Sequence, residues 1–219
     1  MPARQPSKPR ARRPSTEARP YHHGDLRRVL IDAALQLAAE GAEVSVREAA
    51  RRAAVSPGAP FRHFSNRDAL MAAAAGEAQR RFRTEIEAAL GETSAADPLG
   101  RFRAFGIAYL RWAMRNPAHF EIISTGRYFA HGGSAELTRD NAELISLTEQ
   151  MLSDAAEQGL LRFDDLKRIQ IAGRALVYGF ARMNLDGHLP RWGVAEGEGE
   201  VERMAEAVID LFIAGITKR

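Results

Sequence analysis

Ser45-Val46-Arg47-Glu48 places a serine three residues before a glutamate, the capping box that marks a helix start. Two more start signals, Asp97-Pro98 and Asn116-Pro117, set a capping side chain directly before a proline. Between such signals the apolar residues keep a helical period. Leu26, Val29, Leu30, Ala33, Ala34, Leu37 and Ala38 follow the i, i+3, i+4, i+7 pattern, and Gly41 stands where that helix should stop. The same reading predicts a short helix from Val46 to about Ala54, another over 57–63, and a long one from Arg67 to about Leu90. Further helices are predicted over 98–115, 118–124, 134–159, 165–187 and 199–217, with loops at Gly126, Gly132-Gly133 and 196–200. No segment alternates in the way of a strand, and no repeat is present. The chain is therefore expected to be all-α.

Composition narrows the function classes. The chain has no cysteine, which excludes disulfides, thiolate metal sites and cysteine nucleophiles. No apolar run approaches the length of a membrane span, and no signal-peptide core follows the basic N-terminus, so a cytoplasmic protein without a membrane partner is expected. Residues 1–20 hold six bases (Arg4, Lys8, Arg10, Arg12, Arg13, Arg19) and one acid, Glu17, whereas the remainder has more acids than bases. A Pro-rich basic arm on a near-neutral body suits a polyanion such as nucleic acid. The same composition also suits a disordered solubilising extension. His22-His23 resembles half of a metal site, but no third ligand has suitable spacing, so no metal is expected. No nucleophile–base pair, phosphate loop or metal cluster supports an enzyme in the helical C-terminal half, and no cofactor is expected.

Three helices near the N-terminus, the second and third joined by a tight turn near Ala54-Val55, make a helix-turn-helix candidate. In Val55–Phe64, Ser56 is a suitable N-cap and Pro57 suits a first helical position. Pro60 removes the first N–H that would bond back, which loosens the opening turn. Gly58 and Ala59 have almost no side chain, so the backbone there can approach bases or phosphates closely. Arg47, Arg62, His63 and Arg67 surround it with hydrogen-bond donors, whereas Arg51 and Arg52 read as a solvated face.

The stretch SVREAARRAAVSPGAPFRHFSNRDAL resembles the DNA-binding domain of TetR-family transcriptional regulators, and the match extends over about Asp25 to Leu70. The resemblance rests on Val55-Ser56, on Phe61-Arg62-His63-Phe64, and on Asn66-Arg67-Asp68 with Leu70. It implies an N-terminal helix-turn-helix domain over 21–70, with its motif at about 45–64, and a helical effector-binding and dimerisation domain over 71–219. It also implies a homodimeric, ligand-released repressor on a pseudo-palindromic operator. Alternatives of the same fold are a regulator without an effector and an activator. The implied double-stranded DNA contacts are Ser45, Arg47, Ser56, Gly58, Ala59, Pro60, Phe61, Arg62, His63 and Arg67. Two positions depart from the family pattern. Pro60 replaces a leucine, which bears on the course of the third helix, and Phe61 replaces a tyrosine whose hydroxyl binds phosphate. Arg67 takes the place of a phosphate-gripping base, and Arg47 that of a residue reaching a base edge, where an arginine can read guanine. His63 suits either a phosphate contact or a structural position under Phe64.

Phe102, Phe105, Tyr109 and Trp112 form one aromatic face of a helix, which suits a packed core. The resemblance implies a small-molecule pocket in this half. Its expected lining is Phe105, Tyr109, Trp112, His119 and Tyr178, and its occupant a small apolar or aromatic effector. The resemblance also implies dimerisation through the last two helices, at Ile169, Gly173, Leu176, Val177, Phe180, Met204, Val208 and Phe212. Read as a stripe alone, the same residues suit burial against their own domain.

Overall fold

The computed structural model describes residues 23–126, 135–194 and 197–219. The basic arm, Tyr21, His22, Gly132-Gly133 and Glu196 lie outside the described residues. Eight α-helices and no strand occur among the described residues. They are α1 (His23–Ala39), α2 (Val46–Arg52), α3 (Arg67–Gly91), α4 (Pro98–Arg115), α5 (Pro117–Ser124), α6 (Ala135–Glu157), α7 (Leu166–Leu185) and α8 (Glu198–Ile216). Two 3-10 turns, Pro60–Arg62 and Leu189–Trp192, complete the set.

Capping side chains start three of the helices where the sequence places them, whereas Asn116 stands at the start of α5 without a cap bond, its side-chain amide donating back to the Trp112 carbonyl at 3.0 Å. Ser45 accepts the Glu48 N–H at 3.1 Å, Asn66 that of Ala69 at 2.9 Å, and Asp97 that of Gly100 at 2.8 Å. The Glu48 carboxylate does not return to Ser45. It accepts from Arg51 Nε at 3.0 and 3.1 Å instead, so the capping box is half made.

The segment expected as a helix over 57–63 is a correction. Only Pro60–Arg62 is helical, and it is 3-10. The Ser56 carbonyl accepts the Ala59 N–H at 3.1 Å and closes a turn, so Ser56 does not open an α-helix at Pro57. Pro60 has no N–H to offer that carbonyl, and the ladder slips to three-residue spacing, with Arg62 N–H on Ala59 O and His63 N–H on Pro60 O. The slip leaves Pro60 and Phe64 buried, while Phe61 is 46% exposed. Pro60 thus lends the core an apolar ring where a leucine would otherwise pack.

Two hydrophobic cores share one helix. Leu30, Leu37, Ala49 and Phe64 pack with Leu70, Ala74 and Ala78 of α3 in the N-terminal core. Phe82, Ile86 and Leu90, further along the same helix, belong to the C-terminal core with α4 and α6–α8. The positions recur every three or four residues, so one face of α3 serves both cores. Each fully buried leucine contributes about 1.5–3 kcal/mol of transfer free energy. Ile122 of α5 and Leu137 of α6 reach back into the N-terminal core. The C-terminus is tied down by Arg162 N–H on Ile216 O and Lys218 N–H on Leu160 O, each 2.8 Å.

Helix α2 ends in the six-to-one and five-to-two pair of a Schellman motif, Val55 N–H on Ala50 O and Ala54 N–H on Arg51 O. Ala54 therefore sits at φ +54°, the one non-glycine among the described residues with positive φ. The same motif ends α1 at Gly41, φ +67°, where no Cβ is strained. The left-handed conformation costs an alanine about 1–2 kcal/mol, part of which glycine returns as chain entropy. Ala54→Gly should therefore raise the unfolding free energy by about 0.5–1 kcal/mol in urea denaturation. A variant no more stable than the parent would contradict the left-handed turn.

Candidate functional site

The half-turn between α2 and the 3-10 segment presents one outward face. Arg47 is the second residue of α2, opposite its buried neighbours Val46, Ala49 and Ala50, and is exposed. It forms no hydrogen bond or ion pair among the described residues. Arg62 is likewise exposed and unpaired there, and stands beside Phe61 on the 3-10 turn. Its neighbours explain the orientation. Pro60 and Phe64 fill the core, and Arg27 lies 5.5 Å above the Phe64 ring, which locks that end of the turn. His63 is half-buried between the two faces.

The remaining basic residues of α2 are tied to acids. Arg51 pairs with Glu48, and Arg52 grips both oxygens of Glu40 at the end of α1, at 2.5 and 2.6 Å. The arginine hydrogen bonds hold both carboxyls below the usual carboxylate range. These residues orient α2 against α1, and the free guanidinium groups of the face are Arg47 and Arg62.

Arg67 has a second task that sequence reasoning missed. Its Nε donates to the Val44 carbonyl at 3.0 Å, which ties the start of α3 to the residue before the Ser45 cap. The contact spans 23 residues of chain, so no local pattern announces it. Its side chain remains 49% exposed, with a terminal nitrogen 3.7 Å from Asp68. Ser45 keeps its hydroxyl proton for an outside acceptor, because its oxygen serves as the cap acceptor.

Pro57 and Gly58 are exposed, and Ala59 is half-buried. A Cβ built on Gly58 meets nothing within 4 Å, and its φ is not positive. The fold itself therefore does not need glycine here. The face offers two guanidinium groups, an exposed aromatic ring and a patch of nearly bare backbone. Such a surface can bond phosphates and base edges and pack on thymine methyls.

The C-terminal half holds a cavity of about 360 Å³ between α4, α6, α7 and α8. Phe105 and Tyr109 line it, as do Phe82, Phe102 and Phe212. Trp112 and His119 lie outside the lining. Trp112 packs against Phe82 at 4.9 Å and edge-on to His119 at 6.4 Å. The His119 Nε2 is buried without a hydrogen-bond partner among the described residues. Burial pushes its pKa below the ordinary histidine value, and the Arg81 charge adds to that, against Glu77 and Asp32. Tyr178 stands beside the cavity, 6.0 Å from Phe120, rather than in its wall. Burial raises the Tyr109 pKa, opposed by the charge and hydrogen bond of Arg174.

The stripe of the last two helices divides. Ile169, Gly173, Val177 and Phe180 are buried in the chain's own C-terminal bundle, which corrects their expected place on an outer surface. Close packing is the physical reason, since a Cβ on Gly173 would stand 3.2 Å from Phe102 and 3.4 Å from Phe212. Leu176, Met204, Val208 and Phe212 are half-buried. Leu176, Val208 and Phe212 line an apolar groove between α7 and α8 with Phe163 and Leu211. Leu211 is 74% exposed.

Residues 30–74 match the family model for bacterial regulatory proteins of the tetR family, and residues 102–211 match the tetracyclin repressor-like C-terminal domain. A protein of unknown function from Rhodococcus sp. RHA1 is 28% identical with a TM-score of 0.77, over 92% of this chain and 100% of that one. A TetR family transcription regulator from Marinobacter aquaeolei VT8 is 15% identical with a TM-score of 0.65, over 90% of this chain and 97% of that one. The ketosteroid transcriptional regulator KstR2 of Mycobacterium tuberculosis is 18% identical with a TM-score of 0.63, over 92% and 98%. At such identities the last two share the fold. No curated protein sequence matches the chain.

If Gly58 is glycine for clearance to DNA, Gly58→Leu should leave thermal stability within about 1 kcal/mol of the parent and weaken duplex binding at least tenfold. Unimpaired binding in a mobility-shift titration would contradict that role.

Proposed function

The chain belongs to the tetR family of bacterial regulatory proteins, and from that premise we propose a homodimeric repressor whose DNA binding is released by a small ligand. Supporting the reading most directly are the exposed Arg47 at the start of α2, unpaired among the described residues, and the exposed Phe61 and Arg62 on the 3-10 turn that follows. The family fold is that of a DNA-binding transcription regulator. In a structure where many arginines hold a carboxylate, Arg47 of α2 and Arg62 of the 3-10 turn, without one among the described residues, suit an external anion.

Arg47 would read a guanine edge, and Phe61 would pack on a thymine methyl where the family pattern has a phosphate-binding tyrosine. Arg62, the outer nitrogens of Arg67 and the Ser45 hydroxyl would hold backbone phosphates. His63, half-buried, would contribute at the margin, and Pro60, buried, would act only by shaping the turn. Dimerisation would use the outer faces of α7 and α8, where Leu211 and the groove beside it leave apolar surface uncovered. Two copies of the reading face then require a roughly palindromic site.

Phe82 supports the release step. It lines the cavity and sits on α3 one turn beyond Ala78, which packs in the N-terminal core. A ligand that shifts α3 would move the reading face, and by linkage DNA would weaken the ligand.

Selection from random duplexes with the full-length protein tests the reading. The expected product is a near-palindromic motif that loses information at one position per half-site in Arg47→Ala, at a cost of about 1–3 kcal/mol. Binding without any motif would contradict it.

A further inference from the structure

The apolar cavity of the C-terminal half carries an unbalanced charge. Among the described residues its two charged wall residues are both cations, Lys167 and Arg174, and no carboxylate lines it. They stand seven residues apart on α7, so they share one face of that helix. The two are not equivalent. Lys167 Nζ lies 3.0 Å from the Glu149 carboxylate and 2.9 Å from Gln170 Oε1. Gln170 in turn donates to Thr148 Oγ1 at 2.8 Å and to Ile145 O at 3.0 Å. That group satisfies itself and clasps α7 to α6.

Arg174 has no such answer. Its guanidinium lies 5.0 Å from the Tyr109 ring centre and 5.7 Å from that of Tyr178, with no carboxylate paired to it among the described residues. Stacking against two rings holds the guanidinium in place and leaves its N–H edge for a planar acceptor. Asn141 of α6 lines the same cavity, and its side chain makes no hydrogen bond among the described residues. Arg174 is exposed where it lines the cavity, so water solvates its charge. A neutral guest seated against it would displace that water without replacing its bonds, and a cationic guest would be repelled. A carboxylate meets the guanidinium fork with two parallel bonds.

We propose that the cavity takes an amphiphilic carboxylate. Its apolar body lies among Phe102, Phe105, Ile209 and Phe212, and its head group is held by Arg174 with Asn141 beside it. The inference rests on the cavity being the effector site. The volume of about 360 Å³ is near the small end of ligand pockets, which run from about 300 to 1,000 Å³, and suits one medium-length acyl chain or fused-ring acid.

The test is isothermal titration of the full-length protein with decanoate and decyltrimethylammonium below their micellar concentrations and with decanol below its solubility limit. Decanoate should bind roughly tenfold tighter than decanol or more, the size of a charged hydrogen bond, and the ammonium should bind weakest. Arg174→Gln should abolish that preference while leaving the Kd for decanol unchanged, which also reports an intact cavity. Lys167→Gln should change the preference little. Decanol or the ammonium binding as tightly as decanoate would overturn the carboxylate assignment and leave the cavity as a ligand site. So would Arg174→Gln with its preference intact. No binding of any of the three would overturn the effector cavity itself, and this inference with it.

Discussion

Leu70, Ala74 and Ala78 of α3 are buried in one hydrophobic core, and Phe82, Ile86 and Leu90 in the other. Because a helix transmits displacement along its axis with little bending, neither core can repack around α3 without disturbing the other. The rest of the molecule is arranged on this shared element. At its start, Arg67 holds the Val44 carbonyl and so fixes where α2 begins. Further along, Phe82 forms part of the cavity wall. Ile122 and Leu137 add two further bridges, from α5 and α6 into the N-terminal core. The cavity and the N-terminal core that carries the 3-10 turn are therefore joined through packed side chains at several points rather than through a single contact.

The outward face of the 3-10 turn depends on a division of labour within a few residues. Pro60 and Phe64 face inward, Phe61 and Arg62 outward, and the 3-10 geometry forced by Pro60 sets that alternation. An α-helix there would need a donor that proline lacks. A short 3-10 turn gives up helix length and gains a face made mostly of backbone, ring and guanidinium. Strain is accepted next to it, at Ala54, where the turn demands a left-handed residue. The half-made capping box tells the same story. Glu48 is drawn to Arg51, and the pair neutralises a base that would otherwise compete with Arg47 for the same surface.

Much of this was legible in the residues because helix ends are local. Ser45, Asn66, Asp97 and Gly41 each act on atoms within a few residues of themselves, and each stands where its helix starts or stops. The third helix was over-read, since Ser56 and Pro57 look like a helix start until Pro60 removes the first bond of the ladder. Long-range features were not legible. The Arg67–Val44 bond joins two distant segments, and the apolar stripe of α7 does not say which partner covers it. Ile169 and Phe180 turned inward, while the groove beside Leu211 stayed open. The cavity had only part of a signature. Phe105 and Tyr109 were visible as an aromatic face, but Trp112 on the same face points into packed core against Phe82. Arg174 carried no local signal, because what sets it apart is the lack of a paired carboxylate among the described residues.

We propose that ligand in the C-terminal cavity shifts α3 and so resets the spacing of the two exposed turns in a dimer. The chain has no native cysteine, so a single Ser65→Cys substitution places one spin label beside each exposed turn. Dipolar spectroscopy would measure the label separation between copies on the selected duplex, and again after decanoate is added. One narrow separation is expected on DNA, set by half-sites about 34–36 Å apart or a multiple of that, and a displaced or broadened distribution with decanoate bound. An identical distribution at saturating decanoate, with the duplex nevertheless released, would contradict it.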